Sequence, residues 1–390
     1  MAASADSAVD VKALYAQALA QWRDGRADAA LPLLGQIIAA NPRVAEAHWL
    51  AAQIFADADD FPRALGHAEA AVHLRPAEPA VWATWADIVA LSGDAAAEKA
   101  ILAALRAAGL PAPLKLRLQD RFGSRRASTR LDVPGVPMAQ INGILRLMSD
   151  RAYPKAEAQA AALVKAQPKS ALAANLLGSA LAGQGKTAAA MAQFQAAMKL
   201  DAFYAEAHLN AGRALAASGR LDEAARALRA AIARAPDLEG ALLDYGVILN
   251  QQMQARRAKP FLDRLLRLQP KSVPALIAMG NTCTLLRDHD EAESHLRRAV
   301  ALSGGKSPES LCLLSQTLQF VFLSIDDTSY VLLQVHGGCD VRGGYTDAVL
   351  FEADESGLYY TDATIYADGA DHYWRTGDGW HWYYEGCAGG

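Results

Sequence analysis

Residues 205–228 read Ala205-Glu-Ala-His-Leu-Asn-Ala-Gly-Arg-Ala-Leu-Ala-Ala-Ser-Gly-Arg-Leu-Asp-Glu-Ala-Ala-Arg-Ala-Leu228. Small and apolar residues recur at helical spacing as far as Leu215, Gly219 interrupts them, and the spacing resumes at Leu221. That pattern predicts a helix, a tight turn and a second helix. Pro236 then stops the second helix, because a proline cannot extend the hydrogen-bond ladder.

The same pattern returns every 34 residues. Pro42, Pro76 and Leu110 close three repeats; after a slip, Pro168, Ala202, Pro236, Pro270 and Gly304 close five more. If each closing residue is position 32, the repeats begin at Val11, Ala45, Pro79, Pro137, Ala171, Ala205, Glu239 and Val273. Position 8, or in the fourth repeat position 7, is then Ala18, Ala52, Ala86, Gly143, Gly178, Gly212, Gly246 and Gly280, all too small to hold two helices apart. Position 20 on the second helix is alanine in every repeat except one, where Glu98 stands. A single such hairpin cannot bury its own apolar face, so neighbours must stack into a solenoid.

These residues resemble the tetratricopeptide repeat (TPR) family. The match rests on the small residue at 8, glycine at 15 (Gly25, Gly93, Gly185, Gly219), alanine at 20, a large apolar residue at 24 and proline at 32. It spans about residues 11–319, with Asp59, Met253 and Arg287 in place of the turn glycine. The resemblance implies a mainly α fold, a superhelix of hairpins, and a scaffold that holds protein partners. It implies concave residues near positions 2, 5, 6, 9, 12 and 13, among them Asn142, Asn175, Asn210, Arg213, Asn250 and Asn281. Their amides suit the backbone of an extended peptide, and Arg213 is able to meet a carboxylate.

Composition divides the chain. The net charge is −4, yet residues 320–390 hold 12 Asp and Glu against Arg342 and Arg375 alone, leaving the first 319 residues at +6. Half of the 28 aromatic residues also fall in those last 71 positions. The expected organisation is three repeats over 1–110, a basic connector over 111–136, five repeats and a capping helix over 137–319, and a small acidic β domain over 320–390. The connector holds Lys115, Arg117, Arg121, Arg125, Arg126 and Arg130, and reads as a solvated connecting helix. The opposite charges suggest that the acidic segment docks on the basic array within the same chain.

Residues 320–390 alternate short β-branched and aromatic runs with turns, as a small antiparallel domain would. They are faintly similar to small uncharacterised phage-type proteins, a likeness that implies no activity. Trp380, Trp382 and Tyr384 share one face of a strand and offer a stacking platform, although such residues also serve to fill a small core. His336 and Cys339, with His372 and His381, are weak candidates for a zinc set, lacking a second tight pair. The excess negative charge there argues against nucleic acid as a partner.

Other chemistry finds little footing. Gly183-Gln-Gly-Lys-Thr and Gly304-Gly-Lys-Ser look like the ends of phosphate loops, but Ala180 and Val300 stand where the first glycine is required. Ala-rich arrays of this kind are sometimes joined to bacterial sulfotransferase domains, and no such nucleotide loop follows Gln319. Cys283 is expected to be a small buried hydrophobe. The expectation is therefore a non-enzymatic cytoplasmic bacterial scaffold without cofactor or membrane partner. Its alternatives are a sulfotransferase relative without its catalytic part, or a ligand- or metal-binding role for the β domain.

Overall fold

The computed structural model describes residues 10–122 and 138–304, a few positions up to 314, and seven strands beyond residue 319. Among the described residues are 17 helices, most of them paired as hairpins. The first three pairs are α1 (Val11–Arg23) with α2 (Ala27–Ala40), α3 (Ala45–Asp57) with α4 (Phe61–Leu74), and α5 (Pro79–Ser92) with α6 (Ala95–Ala107). The single helix α7 (Ala112–Asp120) follows. Then come α8 (Met138–Ser149) with α9 (Tyr153–Ala166), α10 (Ala171–Ala182) with α11 (Thr187–Leu200), and α12 (Ala205–Ala217) with α13 (Leu221–Arg234). The last pairs are α14 (Glu239–Gln251) with α15 (Ala255–Leu268), and α16 (Val273–Leu285) with α17 (His289–Leu302).

Every first helix of a pair starts at the position the 34-residue count requires, save that α8 opens at Met138 because Pro137 lies outside the described residues. The turn between paired helices is also invariant. Position 15 is left-handed in all eight repeats, at Gly25, Gly93, Gly185 and Gly219 and equally at Asp59, Arg151, Met253 and Arg287. The geometry of the hairpin outranks residue preference here, at a cost of about 1–2 kcal/mol for each side chain that is not glycine.

Close approach within the pairs comes from the small residues. Ala30, Ala64, Ala156, Ala190, Ala224, Ala258 and Ala292, the alanines at position 20, are fully buried. A Cβ added to Gly178, Gly212, Gly246 or Gly280 would meet Phe194, Leu228, Leu262 or Leu296 at 2.5–2.7 Å, so position 8 must stay bare in these four repeats. The fourth repeat exchanges the sizes, with Ile144 at position 8 and Ala160 at position 24, both fully buried; Gly143 stands at position 7, where an added Cβ finds only Gln159 Oε1 at 3.8 Å. Where Glu98 takes the alanine position, α6 lies less closely on α5 than α4 does on α3.

The chain divides into two compact units, Met1–Ala241 and Leu242–Gly390. In the first, the core around Trp82, Trp85, Ile101 and Leu105 continues through Leu110, Leu118 and Phe122 and is flanked by Phe203. Helix α7 thus departs from the solvated connector its charges suggested. Leu114, Leu118 and Phe122 recur every four residues and form an apolar stripe, with Leu118 fully buried. Its basic residues are used structurally: Lys115 Nζ donates to the Arg106 carbonyl at the end of α6 (2.7 Å), where positive charge complements the helix dipole. Arg125, Arg126 and Arg130 lie outside the described residues.

In the second unit Tyr245 and Phe261 meet edge-on, 4.9 Å between centroids, and join α14 to α15. Leu276, Ile277 and Ala299 close the contact of α16 with α17, with Leu266 and Leu313 beside them. Backbone pairing beyond residue 319 gives two antiparallel sheets. One has the order β1 (Phe320–Ser324), β2 (Tyr330–Val335), β3 (Ala348–Asp354), β4 (Gly357–Thr361); the other is β5 (Thr364–Asp368), β6 (Asp371–Thr376), β7 (Gly379–Tyr384).

Two stability outcomes follow from this geometry. Gly280→Ala, which places a methyl 2.5 Å from Leu296 Cγ, lowers stability by about 1–3 kcal/mol in urea unfolding. Gly143→Ala, with open space, raises it by up to about 1 kcal/mol. Equal effects at the two sites would contradict the pairing of positions 8 and 24. Met253 is 74 % exposed and left-handed, so Met253→Gly raises the thermal midpoint by relieving about 1 kcal/mol of backbone strain. An unchanged or lower midpoint would mean that the Met253 side chain repays that strain.

Candidate functional site

The first helices of neighbouring repeats are laced together by polar bonds at positions 5 and 6. Trp49 Nε1 donates to Thr84 Oγ1 across α3 and α5 at 2.7 Å, and Asn210 Nδ2 donates to Asn175 Oδ1 across α12 and α10 at 3.1 Å. Asn175 is buried and donates in turn to the Tyr204 hydroxyl (3.3 Å), whose own ionisation burial pushes well up. Much of the amide set expected to face a peptide is thus engaged between helices. A buried amide left without partners would cost more than its bonds return, so these groups stay paired.

The inner wall of the first three repeats is met by the protein itself. Helix α13 packs along α5. Arg229 of α13 donates to Asp57 Oδ1 at 2.9 Å and to the Ala56 carbonyl at the end of α3, and its Nε lies 3.8 Å from Asp59 Oδ1. Arg121, just past α7, is buried; it donates to Asp87 Oδ1 at 2.6 Å and to the Ala233 carbonyl at 3.1 Å. Its guanidinium sits over the Phe203 ring, 4.9 Å from the centroid. Asp57 and Asp87 hold positions 13 and 9, which the family resemblance assigned to the concave surface. This block also carries a cleft of about 240 Å³ between Glu46 and Trp49 of α3 and Ala80 and Val81 of α5, with Arg75 paired to Glu46.

The second compact unit carries a cleft of about 180 Å³. Leu243, Asp244, Val247 and Asn250 of α14 line it at positions 5, 6, 9 and 12; Pro274, Ile277, Ala278 and Asn281 of α16 line it at 2, 5, 6 and 9; Leu313 completes it. Asn250 is locked in place: its Nδ2 donates to the Ala278 carbonyl and its Oδ1 accepts from Thr282 Oγ1, each at 3.0 Å. Val247 is exposed, Asn281 and Asp244 half-buried. The floor is therefore apolar and the polar groups few, as suits a side chain anchored by burial and oriented by one carboxylate and one amide.

Of the six groove candidates, Asn175 and Asn210 come together by a direct bond and Asn250 and Asn281 line one cleft. Asn142 is exposed on α8, and Arg213 lies on α12 with its guanidinium over Gly240, where an added Cβ would stand 2.9 Å from Nη2. Leu243, Asp244, Val247, Ile277 and Leu313 went unnamed from sequence. The first four occupy the same positions 5, 6 and 9 that single out the asparagines, and attention to polar residues alone hid them. Trp380, Trp382, Tyr384 and His381 fall on β7 and His372 on β6, while His336 and Cys339 lie outside the described residues. Metal-type donors meet elsewhere, on the side of α16 toward α17, where Cys283, Glu291 and His295 converge.

Antiparallel helix pairs of fixed 34-residue period, left-handed at position 15 and bare at position 8 in the last four, define an α-helical repeat protein. A family model described as tetratricopeptide repeat matches residues 15–79, 144–205, 183–239 and 209–253. Residues 15–79 and 144–253 of this chain are thus matched as tetratricopeptide repeats. Among solved structures, PilF of Pseudomonas aeruginosa is similar at 21 % identity, over 47 % of this chain and 84 % of its own, with a TM-score of 0.42. MamA from Desulfovibrio magneticus RS-1 is 19 % identical over 43 % of this chain and 94 % of its own, at a TM-score of 0.37. A chain of the APC/C hetero-tetramer Cut9-Hcn1 is 14 % identical over 80 % and 77 %, at 0.41. Curated proteins give no match. No helix among the described residues is long and apolar enough to cross a membrane.

A half-buried histidine gives the array a pH dependence. Burial, and then the charge of Arg234, push His208 of α12 from its ordinary value of 6.5 down to about 4. The unfolded chain takes up this proton below about pH 6.5 and the folded chain does not, so the contribution is complete above pH 6.5 and declines as pH falls toward 4. His208→Gln is expected to flatten that part of the stability profile, measured by urea midpoints at successive pH values. An identical slope in both proteins would contradict the assignment.

Proposed function

We propose that this protein is a non-enzymatic interaction scaffold that holds a segment of another protein in the cleft between α14 and α16. The reading is carried by one observation: that cleft is lined at positions 2, 5, 6, 9 and 12 of successive first helices, the face a solenoid turns inward. Engagement of Asp57 and Asp87 by Arg229 and Arg121 supports the same choice, because it takes up the corresponding face of the first block. Leu243, Val247 and Ile277 favour an aliphatic or aromatic anchor on the partner. Asp244 favours a lysine or arginine next to that anchor, and Asn281 a backbone carbonyl or N–H.

We further propose the division into 1–110, 111–136, 137–319 and 320–390, with the strands of the last segment forming a small acidic β domain. The antiparallel order of β1 to β4 and β5 to β7 supports that reading. At a net −10 such a domain would compete with acidic partners for a basic surface and would leave partners with basic flanks unhindered.

A displayed peptide library panned against the full chain tests the cleft. Enriched peptides should carry an apolar anchor beside Lys or Arg, and Asp244→Lys with Val247→Glu should weaken their binding at least tenfold. Both substitutions are at the rim and leave the helical spectrum unchanged. Enrichment that persists undiminished in the double variant would remove the cleft from the binding surface.

A further inference from the structure

Cys283 of α16 is fully buried, and α17 turns Glu291 and His295, one helical turn apart, toward it. One donor atom from each of the three residues lies within 4.8 Å of the other two. A sulfur, a carboxylate oxygen and an imidazole nitrogen together make a set that fits a borderline-soft divalent ion, and zinc is the common ion that accepts all three at tetrahedral distances of roughly 2.0–2.3 Å.

The surroundings divide the donors usefully. Lys259 of α15 pairs with Glu291 through Oε2, whereas Oε1 faces His295, 3.7 Å from its Nε2. The carboxylate is thereby anchored by one oxygen with the other directed at the imidazole. His295 Nδ1 is buried and has no hydrogen-bond partner, which is costly for a ring nitrogen removed from water. Asp263 of α15 acts electrostatically on Lys259, Glu291 and His295. Cys283 as thiolate with the Glu291 and Asp263 carboxylates supplies three negative charges, which a divalent ion together with the Lys259 ammonium balances.

We infer that Cys283, Glu291 and His295 form a zinc-binding site that clips the first helix of the last complete repeat to its second. The thiol proton leaves to bulk water as the metal–sulfur bond forms, and a water molecule takes the fourth position. The repeat so clipped is one whose turn carries Arg287, left-handed at φ 62°, in place of glycine, so the metal supports a hairpin whose turn residue is strained. The three ligands come from the two helices of one hairpin, so the ion ties those helices together.

Cobalt substitution tests the site in the full chain. Cys312, Cys339 and Cys387 lie outside the described residues, so a variant with all three changed to serine leaves Cys283 as the sole thiol. After chelator treatment, Co²⁺ should give a sulfur-to-cobalt charge-transfer band and tetrahedral visible bands that saturate at one equivalent. His295→Gln or Glu291→Gln in that background should weaken cobalt at least tenfold, and Zn²⁺ should raise the thermal midpoint only where Cys283 is retained. Absence of the sulfur-to-cobalt band in the single-thiol chain would overturn the proposal. So would a band that His295→Gln and Glu291→Gln leave at full affinity, since that is a lone thiol binding metal adventitiously. Circular dichroism at each step separates a lost ligand from a lost fold, and the single-thiol chain keeps all three native donors.

Discussion

Six of the eight repeats depend on one steric complementarity, a small residue at position 8 of one helix set against a branched or aromatic side chain at position 24 of the next. In the later repeats Gly178, Gly212, Gly246 and Gly280 meet Phe194, Leu228, Leu262 and Leu296 so closely that no methyl fits between them. The alanine at position 20 lets the same two backbones approach one turn away, and it is fully buried wherever it occurs. Packed interiors are close to crystalline in density, so this contact sets the spacing of the hairpin and leaves little slack. The turn conforms to it: position 15 is left-handed even where Asp59, Arg151, Met253 or Arg287 must adopt that conformation.

With the hairpins fixed, polar residues on the first helices divide between two tasks. Some join neighbours, as Trp49 does with Thr84, Asn210 with Asn175, and Thr282 with Asn250. Those bonds set the register of one repeat on the next, because a buried amide is satisfied in only one arrangement. Others, such as Asn281, line a cleft with an apolar floor, beside Asp244 and the exposed Val247. A repeat sequence thus spends similar positions on holding itself together in one place and on presenting a surface in another.

The ion pairs of the first compact unit belong to the same logic on a larger scale. Arg121 has a side chain 6 % exposed while its partner Asp87 is 39 % exposed, and Arg229 reaches from α13 to the end of α3. Removing an arginine from water is costly, and a pair of this kind adds little net stability. Its effect is on specificity, since the guanidinium finds its carboxylate and carbonyl partners in this packing of α13 against α5.

Local order was legible in the sequence alone: helix starts, the turn at position 15, and the small residues at 8 and 20 followed from the period. They could be read because each depends on contacts within about one repeat, and those contacts recur identically along the chain. The fate of particular side chains was not legible. Asn175 and Asn210 read as a peptide-facing pair, yet they bond to each other across a gap of 35 residues. Helix α7 read as a charged connector, yet Leu118 and Phe122 bury it beside Trp82 and Trp85. Cys283 read as a small hydrophobe, and its meeting with Glu291 and His295 depends on how α17 is rotated against α16. The amino-acid order determined that hairpins form and where each begins, because sterics and hydrogen bonding act over short range. Which polar groups are consumed and which are presented was decided only by tertiary packing, because it brings together residues far apart along the chain whose spacing follows no period.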